Sequence, residues 1–237
     1  MSRKQESRGG MSVGDGTAMA GMAGDMELCD VSLSFGSVSV FSHASAVFDS
    51  AQVHVITGPS GAGKTTLLRL LLGLEEPNEG EILRPAGMRF SATFQEDRLC
   101  DNLTATANIR MPHGRLKGEE LEEFLAVERE ALAAVGMPDV EGRPVRDFSG
   151  GQRRRVAILR CALADADAYM FDEPLKGMDE ETVSRVMSYV LPKLSGRCVL
   201  WVTHDERELA FFDDPVLWSV ADGGVRSRAD DELRPSA

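Results

Sequence analysis

Short apolar runs alternating with polar positions begin after the first 25 residues, and a period of two over residues 26–41 predicts two strands. Gln52-Val-His-Val-Ile-Thr57 then reads as a buried strand running directly into a glycine-rich loop. Beyond the loop the pattern turns helical: residues 65–72 are nearly all helix formers or apolar, and Gly73 is placed to end the helix. A turn-prone Glu76-Pro-Asn-Glu-Gly80 segment leads to two further strand candidates, 80–84 and 88–95.

From about residue 96 to 148 the chain becomes Glu-rich and helix-patterned. Leu121, Phe124, Leu125, Val127, Leu132 and Val135 are expected on roughly one face of an amphipathic helix over 118–135, with the Glu119–Glu123 run on its polar side. The last third alternates again: helix 152–163, strand 168–171, helix 182–194, strand 198–203, a short helix, and strand 215–220. Strands separated by helices imply a mainly parallel sheet covered on both faces. The expected organisation is a flexible tail over 1–25, one compact unit over 26–228 with a helical insertion at about 96–165, and a frayed tail over 229–237.

Composition narrows the function classes. A chain of 237 residues that is 43% hydrophobic can bury a sizeable core. Its 26 basic against 38 acidic residues give a net charge of -12, which repels a polyanion and disfavours general nucleic-acid binding. Cys29, Cys100, Cys161 and Cys198 lie far apart without a C-x-x-C pair, and read as reduced, mostly buried thiols of a cytosolic protein. No run of about 18 apolar residues occurs, so any transport would need a second chain to span the membrane. The first 25 residues lack the continuous apolar stretch of a secretory signal, and Met11, Met19, Met22 and Met26 leave a later translation start as an expectation.

Gly58-Pro59-Ser60-Gly61-Ala62-Gly63-Lys64-Thr65 fits G-x-x-x-x-G-K-[ST] at every fixed position. Its glycines let successive N–H groups curl around phosphate oxygens, and the helix that follows adds its positive end. Lys64 is placed for the β- and γ-phosphates and the Thr65 hydroxyl for Mg²⁺. An ordinary Gly-rich turn is the plainer alternative, and the strand before and helix after argue against it. Ala168-Tyr-Met-Phe-Asp172-Glu173 is an apolar strand ending in two carboxylates, one suited to hold Mg²⁺ through water and the next to polarise an attacking water. Alone, the pair also fits a solvated turn or a helix start.

Phe148-Ser149-Gly150-Gly151-Gln152-Arg153 lies between these two motifs and resembles the signature sequence of the ATP-binding cassette family. By itself it reads as a Ser-Gly turn capping the next helix, where Ser149 and the Gly150 and Gly151 amides form an anion site. The resemblance runs from about residue 26 to 220. It implies an α/β fold: a P-loop NTPase core with a mainly parallel sheet, an N-terminal antiparallel β part and an inserted α-helical subdomain. It also implies ATP and Mg²⁺, with nucleotide held by residues 58–65 and Thr66, and with Ser149, Gly150, Gly151 and Gln152 facing the γ-phosphate bound by the other subunit.

Further positions agree in order. Gln95, in Phe94-Gln-Glu-Asp-Arg-Leu99, resembles the family glutamine that contacts Mg²⁺ and the attacking water, and His204, in Trp201-Val-Thr-His-Asp205, resembles the switch histidine. Asp205 reads as a helix cap. Phe35 stands where the family places an aromatic ring against adenine, and Asp179 where an aspartate connects the two active sites of a dimer. The resemblance thus gives Glu173, His204, Gln95 and Lys64 catalytic roles, and Thr65, Gln95 and Asp172 the metal. Lys176 and Gly177 depart from commoner small residues, and Arg154 stands where Gln is frequent.

An importer ATPase is the first reading, because the chain is a lone cassette and residues 94–109 are similar to importers of nitrate, sulfonate or thiamine-precursor type. That reading implies a transmembrane permease, a homodimer or a heterodimer with another such ATPase, a solute-binding protein outside the cytoplasm, and a place on the inner face of the membrane. An exporter subunit is the nearest alternative. A soluble cassette ATPase acting on nucleic acid is disfavoured by the acidic charge and the short insert, and a small-molecule kinase by the signature sequence. The basic run Arg153-Arg154-Arg155, extended by Arg160, is expected to be a solvated helix face.

Overall fold

The structure, a computed structural model, describes residues 24–140 and 142–228; the expected tails, apart from residues 24, 25 and the junction at 228, lie outside them. The chain opens with β1 (Met26–Phe35) and β2 (Val38–Phe48), followed by β3 (Val53–Thr57), helix α1 (Lys64–Leu71) and β4 (Glu79–Leu83). β1, β2 and β4 form an antiparallel sheet in the order β2-β1-β4. The second strand was expected to end near Phe41, yet it continues to Phe48. A residue with positive φ at His43 (53°) inserts a bulge that resets the alternation, so that Phe41 and then Ala44, Ala46 and Phe48 all reach the core.

The second sheet adds β5 (Phe90–Thr93), β6 (Ala168–Asp172), β7 (Cys198–Val202), β8 (Val216–Ala221) and β9 (Gly224–Ser227), in the order β5-β6-β7-β3-β8-β9. Pairing is parallel except between β8 and β9, which form a hairpin across Asp222 and Gly223. β6 and β7 are buried at every position, as central parallel strands covered on both faces must be. Their alternation divides the core: Met170, Leu200 and Val202 pack with Ile56 and the leucines of α1, whereas Phe171, Val199 and Trp201 face Ile158, Val186 and Met187.

Between β5 and β6 lie α2 (Ala105–Arg110), α3 (Gly118–Ala134) and α4 (Gly150–Ala162); α5 (Glu180–Lys193) joins β6 to β7. On α3 the expected stripe holds for Leu132 and, just past the helix, Val135, but Val127 is exposed and Glu128 takes the inward position at 1% exposure. The row 124, 128, 131, 135 steps by three or four residues, and Val127 lies one position out of it.

The basic run is not a solvated face. Arg153 pairs with Asp97 and Asp101 at 2.8 Å, Arg154 is 7% exposed, Arg155 donates to the Val135 carbonyl, and Arg160 donates to those of Asp97 and Arg98. α4 is packed between α2, α3 and β5, so its cations meet protein acceptors before they meet water. Of the cysteines, Cys161 and Cys198 are buried, and burial pushes both thiols up to about 12; Cys29 is half-buried and Cys100 exposed, so burial holds for two of the four. Among the described residues no helix is long and apolar enough to cross a membrane.

Candidate nucleotide site

The phosphate-loop motif leaves the C-terminal end of β3 and turns into α1. Gly58 has φ of 148°, and a Cβ there would lie 2.2 Å from the Val220 carbonyl oxygen; at Gly63 (φ 107°) it would lie 2.7 Å from Val40 Cγ1. Only glycine lets the loop lie this close to β8 and β2. The Lys64 ammonium donates to the Gly58 and Pro59 carbonyls at 2.8 Å, curling over the loop.

Thr65, one residue on, donates its hydroxyl to Asp172 Oδ2 at 2.6 Å. Burial raises the pKa of Asp172; the Thr65 hydrogen bond and the charges of Arg154 and Lys64 offset this only in part, and the charge of Glu173 adds to it. A hydroxyl and a carboxylate oxygen side by side are the hard donors Mg²⁺ takes from protein when phosphate and water complete its shell. Among the described residues no group of three or more His, Cys, Asp or Glu side chains is placed to hold a metal ion.

Glu173 follows the last residue of β6 with φ of 46°, a left-handed turn held by its N–H bond to the Val202 carbonyl at 2.9 Å. Its Oε2 accepts from Lys176 Nζ at 2.7 Å, and its Oε1 lies 3.4 Å from His204 Nδ1. Burial by itself would raise the carboxyl, but the Lys176 hydrogen bond and the charges of Lys176, His204 and Lys64 hold it below its ordinary value. His204 stands past the end of β7, where the Thr203 N–H bonds the Ile56 carbonyl and aligns this loop with the end of β3. Asp205 caps the 3₁₀ turn Glu206–Phe211, and Glu208 within it accepts from the Trp201 indole at 2.7 Å.

Phe35, Ser60, Gly61, Gly63, Lys64, Thr65, Thr66, Gln95, Asp172 and Glu173 line one cavity of about 200 Å³. His204 shares a neighbouring cavity with Glu173. Ser149 and Gln152 cap α4 reciprocally, each side chain accepting from the other's backbone N–H, which leaves the Ser149 hydroxyl proton for an outside acceptor. Ser149, Gly150 and Gly151 are exposed, and the two glycines lie along a groove with Gln95, Arg154 and Lys176 rather than in the phosphate-loop cavity. Asp179 is also apart: exposed, it caps α5 by accepting from the Thr182 N–H at 2.8 Å.

Two cations that the sequence marked as departures, Arg154 also as part of a solvated face, lie beside these groups. Arg154 donates to the carbonyls of Phe94, Gln95, Asp172, Glu173 and Pro174, joining α4 to the segments that follow β5 and β6. Lys176 holds the Glu173 carboxylate. No local pattern would have singled out either, because their partners come from the fold or are ordinary neighbours.

A phosphate loop opening a helix, with a hydroxyl–carboxylate pair beside it at the end of a parallel sheet, defines a P-loop nucleotide-binding protein. Residues 41–176 match the family described as ABC transporter, and with the relatives below this shows that the chain belongs to the ABC transporter family. It is 32% identical over 204 residues to the Fe(3+) ions import ATP-binding protein FbpC of Escherichia coli (strain K12), an alignment covering 81% of this chain and 58% of FbpC. It is 31% identical over 191 residues to the taurine import ATP-binding protein TauB of Jannaschia sp. (strain CCS1), covering 77% and 70%. The chain thus spans little more than half of the iron-import protein. Among solved structures, the ATP-binding cassette MJ0796, in a dimeric post-hydrolysis state bound to ADP and Pi, superposes with a TM-score of 0.72 at 26% identity over 85% of this chain and 97% of that one.

Proposed function

We propose that this chain is the ATP-binding and ATP-hydrolysing subunit of an importer, closing as a dimer around Mg-ATP and driving a separate membrane permease. The observation that carries the reading is the meeting of Lys64, Thr65, Asp172, Glu173 and His204 at one end of the sheet, with the exposed Ser149–Gly151 tip set apart from them. An exposed tip that lies outside the phosphate-loop cavity of its own chain is suited to complete the site of a second subunit. The two relatives, both import ATP-binding proteins by name, support import; the dimeric MJ0796 structure supports pairing.

In this mechanism the loop amides and Lys64 bind the phosphates, and Phe35 offers a ring to adenine. Thr65, Asp172 and Gln95 would hold Mg²⁺, whose charge screens the phosphate oxygens. Glu173 accepts the proton of a water as its oxygen bonds to the γ-phosphorus; the bond from that phosphorus to the bridging oxygen breaks, and ADP and phosphate leave. His204 orients Glu173 and the phosphoryl oxygens, while the partner's signature tip contributes its hydroxyl and amides. Gln95 and Asp179 connect this chemistry to the helical insertion and to the second site. The partners are a permease, a second copy or a related ATPase, and a solute-binding protein across the membrane, so the chain works on the inner face of the membrane.

Glu173→Gln tests the reading. With Mg-ATP it is expected to accumulate a dimer, read by size exclusion with light scattering, and to lose roughly a hundredfold or more in turnover. Wild-type hydrolysis by this variant would remove Glu173 as the base.

A further inference from the structure

The turn after β6 brings a cation onto the group proposed to accept the water proton. The Lys176 N–H lies 3.4 Å from the Glu173 carbonyl and closes the turn, buried Leu175 anchors it, and Lys176 Nζ reaches Glu173 Oε2 at 2.7 Å. The other oxygen, Oε1, faces His204. Both carboxylate oxygens are therefore already directed at protein groups, and an oxygen held by an ammonium is not presenting that lone pair to water.

The Lys176 side chain is 57% exposed, against 10% for that of Glu173. An ion pair with one partner this exposed is weak and screened by salt, so the contact can open and close. The lysine also lines the groove that holds Gly150 and Gly151, the surface on which a partner would seat.

We propose that Lys176 is a positioning residue that restrains the Glu173 carboxylate in a resting orientation, so that turnover requires the lysine to let go. This rests on Glu173 being the base. The restraint acts on the carboxylate and not on the phosphate loop, so its removal changes turnover without changing how tightly ATP is held.

The test compares the full chain with Lys176→Ser, Lys176→Arg, Glu173→Gln and the double variant Glu173→Gln with Lys176→Ser. ATPase rates are measured over a range of ATP and NaCl concentrations, and ATP affinity by calorimetry. Expected are a kcat for Lys176→Ser raised by roughly two- to fivefold, the most that a weak, exposed ion pair can withhold, with KM and calorimetric affinity unchanged, and Lys176→Arg at the wild-type rate. Added salt accelerates wild type more than Lys176→Ser, and the serine variant gains nothing when Glu173 is already glutamine. A Lys176→Ser rate at or below wild type, with Glu173→Gln inactive, overturns the restraint and leaves the base reading standing. Full turnover by Glu173→Gln overturns the base reading itself, and the restraint with it.

Discussion

Arg154 grips Glu173 by its main chain: the guanidinium Nη2 donates to the Glu173 carbonyl at 2.6 Å and leaves the carboxylate to Lys176 and His204. One cation holds the Glu173 main-chain carbonyl and another holds one of its carboxylate oxygens. The arginine is buried and reaches five carbonyls on two loops, so it ties α4 to the exits of β5 and β6.

Arg154→Ala strips the guanidinium from those carbonyls, of which that of Glu173 keeps the 3.4 Å contact with the Lys176 N–H, and is expected to cost about 3 kcal/mol in urea denaturation, the scale of a broken buried charged contact. Arg154→Lys keeps the charge but not the planar fork, and is expected to recover only part of that loss. Equal stability of the alanine variant and wild type would mean the contacts are not made.

Lys64→Ala and Ser149→Arg separate binding in one subunit from completion by the other. Loss of the Lys64 ammonium removes charged hydrogen bonds worth about 1.5–3 kcal/mol and should weaken nucleotide binding at least tenfold. The Ser149 variant is expected to keep monomer ATP affinity within about twofold while losing turnover and nucleotide-driven dimerisation. Equal loss of monomer binding at Ser149 would contradict action across a dimer.

Trp201 and Glu208 form a buried donor–acceptor pair beneath the His204 loop. Trp201→Phe strips the donor and should destabilise by about 2 kcal/mol. Burial, the largest influence, raises the Glu208 carboxyl above its ordinary 4.5. A group raised on folding contributes stability below its unfolded value and loses that contribution as pH rises through the folded one. Glu208→Gln keeps the shape without the buried charge, so it should match or exceed wild type in thermal stability at pH 7, with its relative gain shrinking toward pH 4.5. A fixed loss at every pH would count against this account.

His54 is fully buried, with Nε2 3.0 Å from the Asp49 carbonyl and Nδ1 accepting from the Trp218 indole at 3.1 Å, which selects one neutral tautomer. Burial holds its pKa below the ordinary 6.5, outweighing the Asp49 carbonyl contact and the nearby charges of Asp49 and Asp25. The unfolded chain therefore takes up a proton that the folded chain refuses. Stability is full above pH 6.5 and falls as pH drops through that value toward the folded pKa, by at most about 1.4 kcal/mol per unit. Denaturation between pH 7.5 and 5.5 should show a shallower slope in a His54→Phe variant than in wild type; identical slopes would refute the assignment.

The phosphate loop, the acidic end of β6 and the order of strands and helices were legible in the sequence because each rests on neighbours within a few residues. The Asp222-Gly223 pair is a local hairpin signal of the same kind, with φ of 49° and 73°, although β9 was not anticipated from it. The tertiary structure decided what depends on the opposite side of an element. Thr65 meets Asp172 across 107 residues because β3 and β6 both flank β7. Arg154, read as solvated, became a buried tie because α4 packs between other helices and the sheet. A side chain's own sequence sets its charge and reach, whereas its burial and partners are set by elements that arrive from elsewhere in the chain.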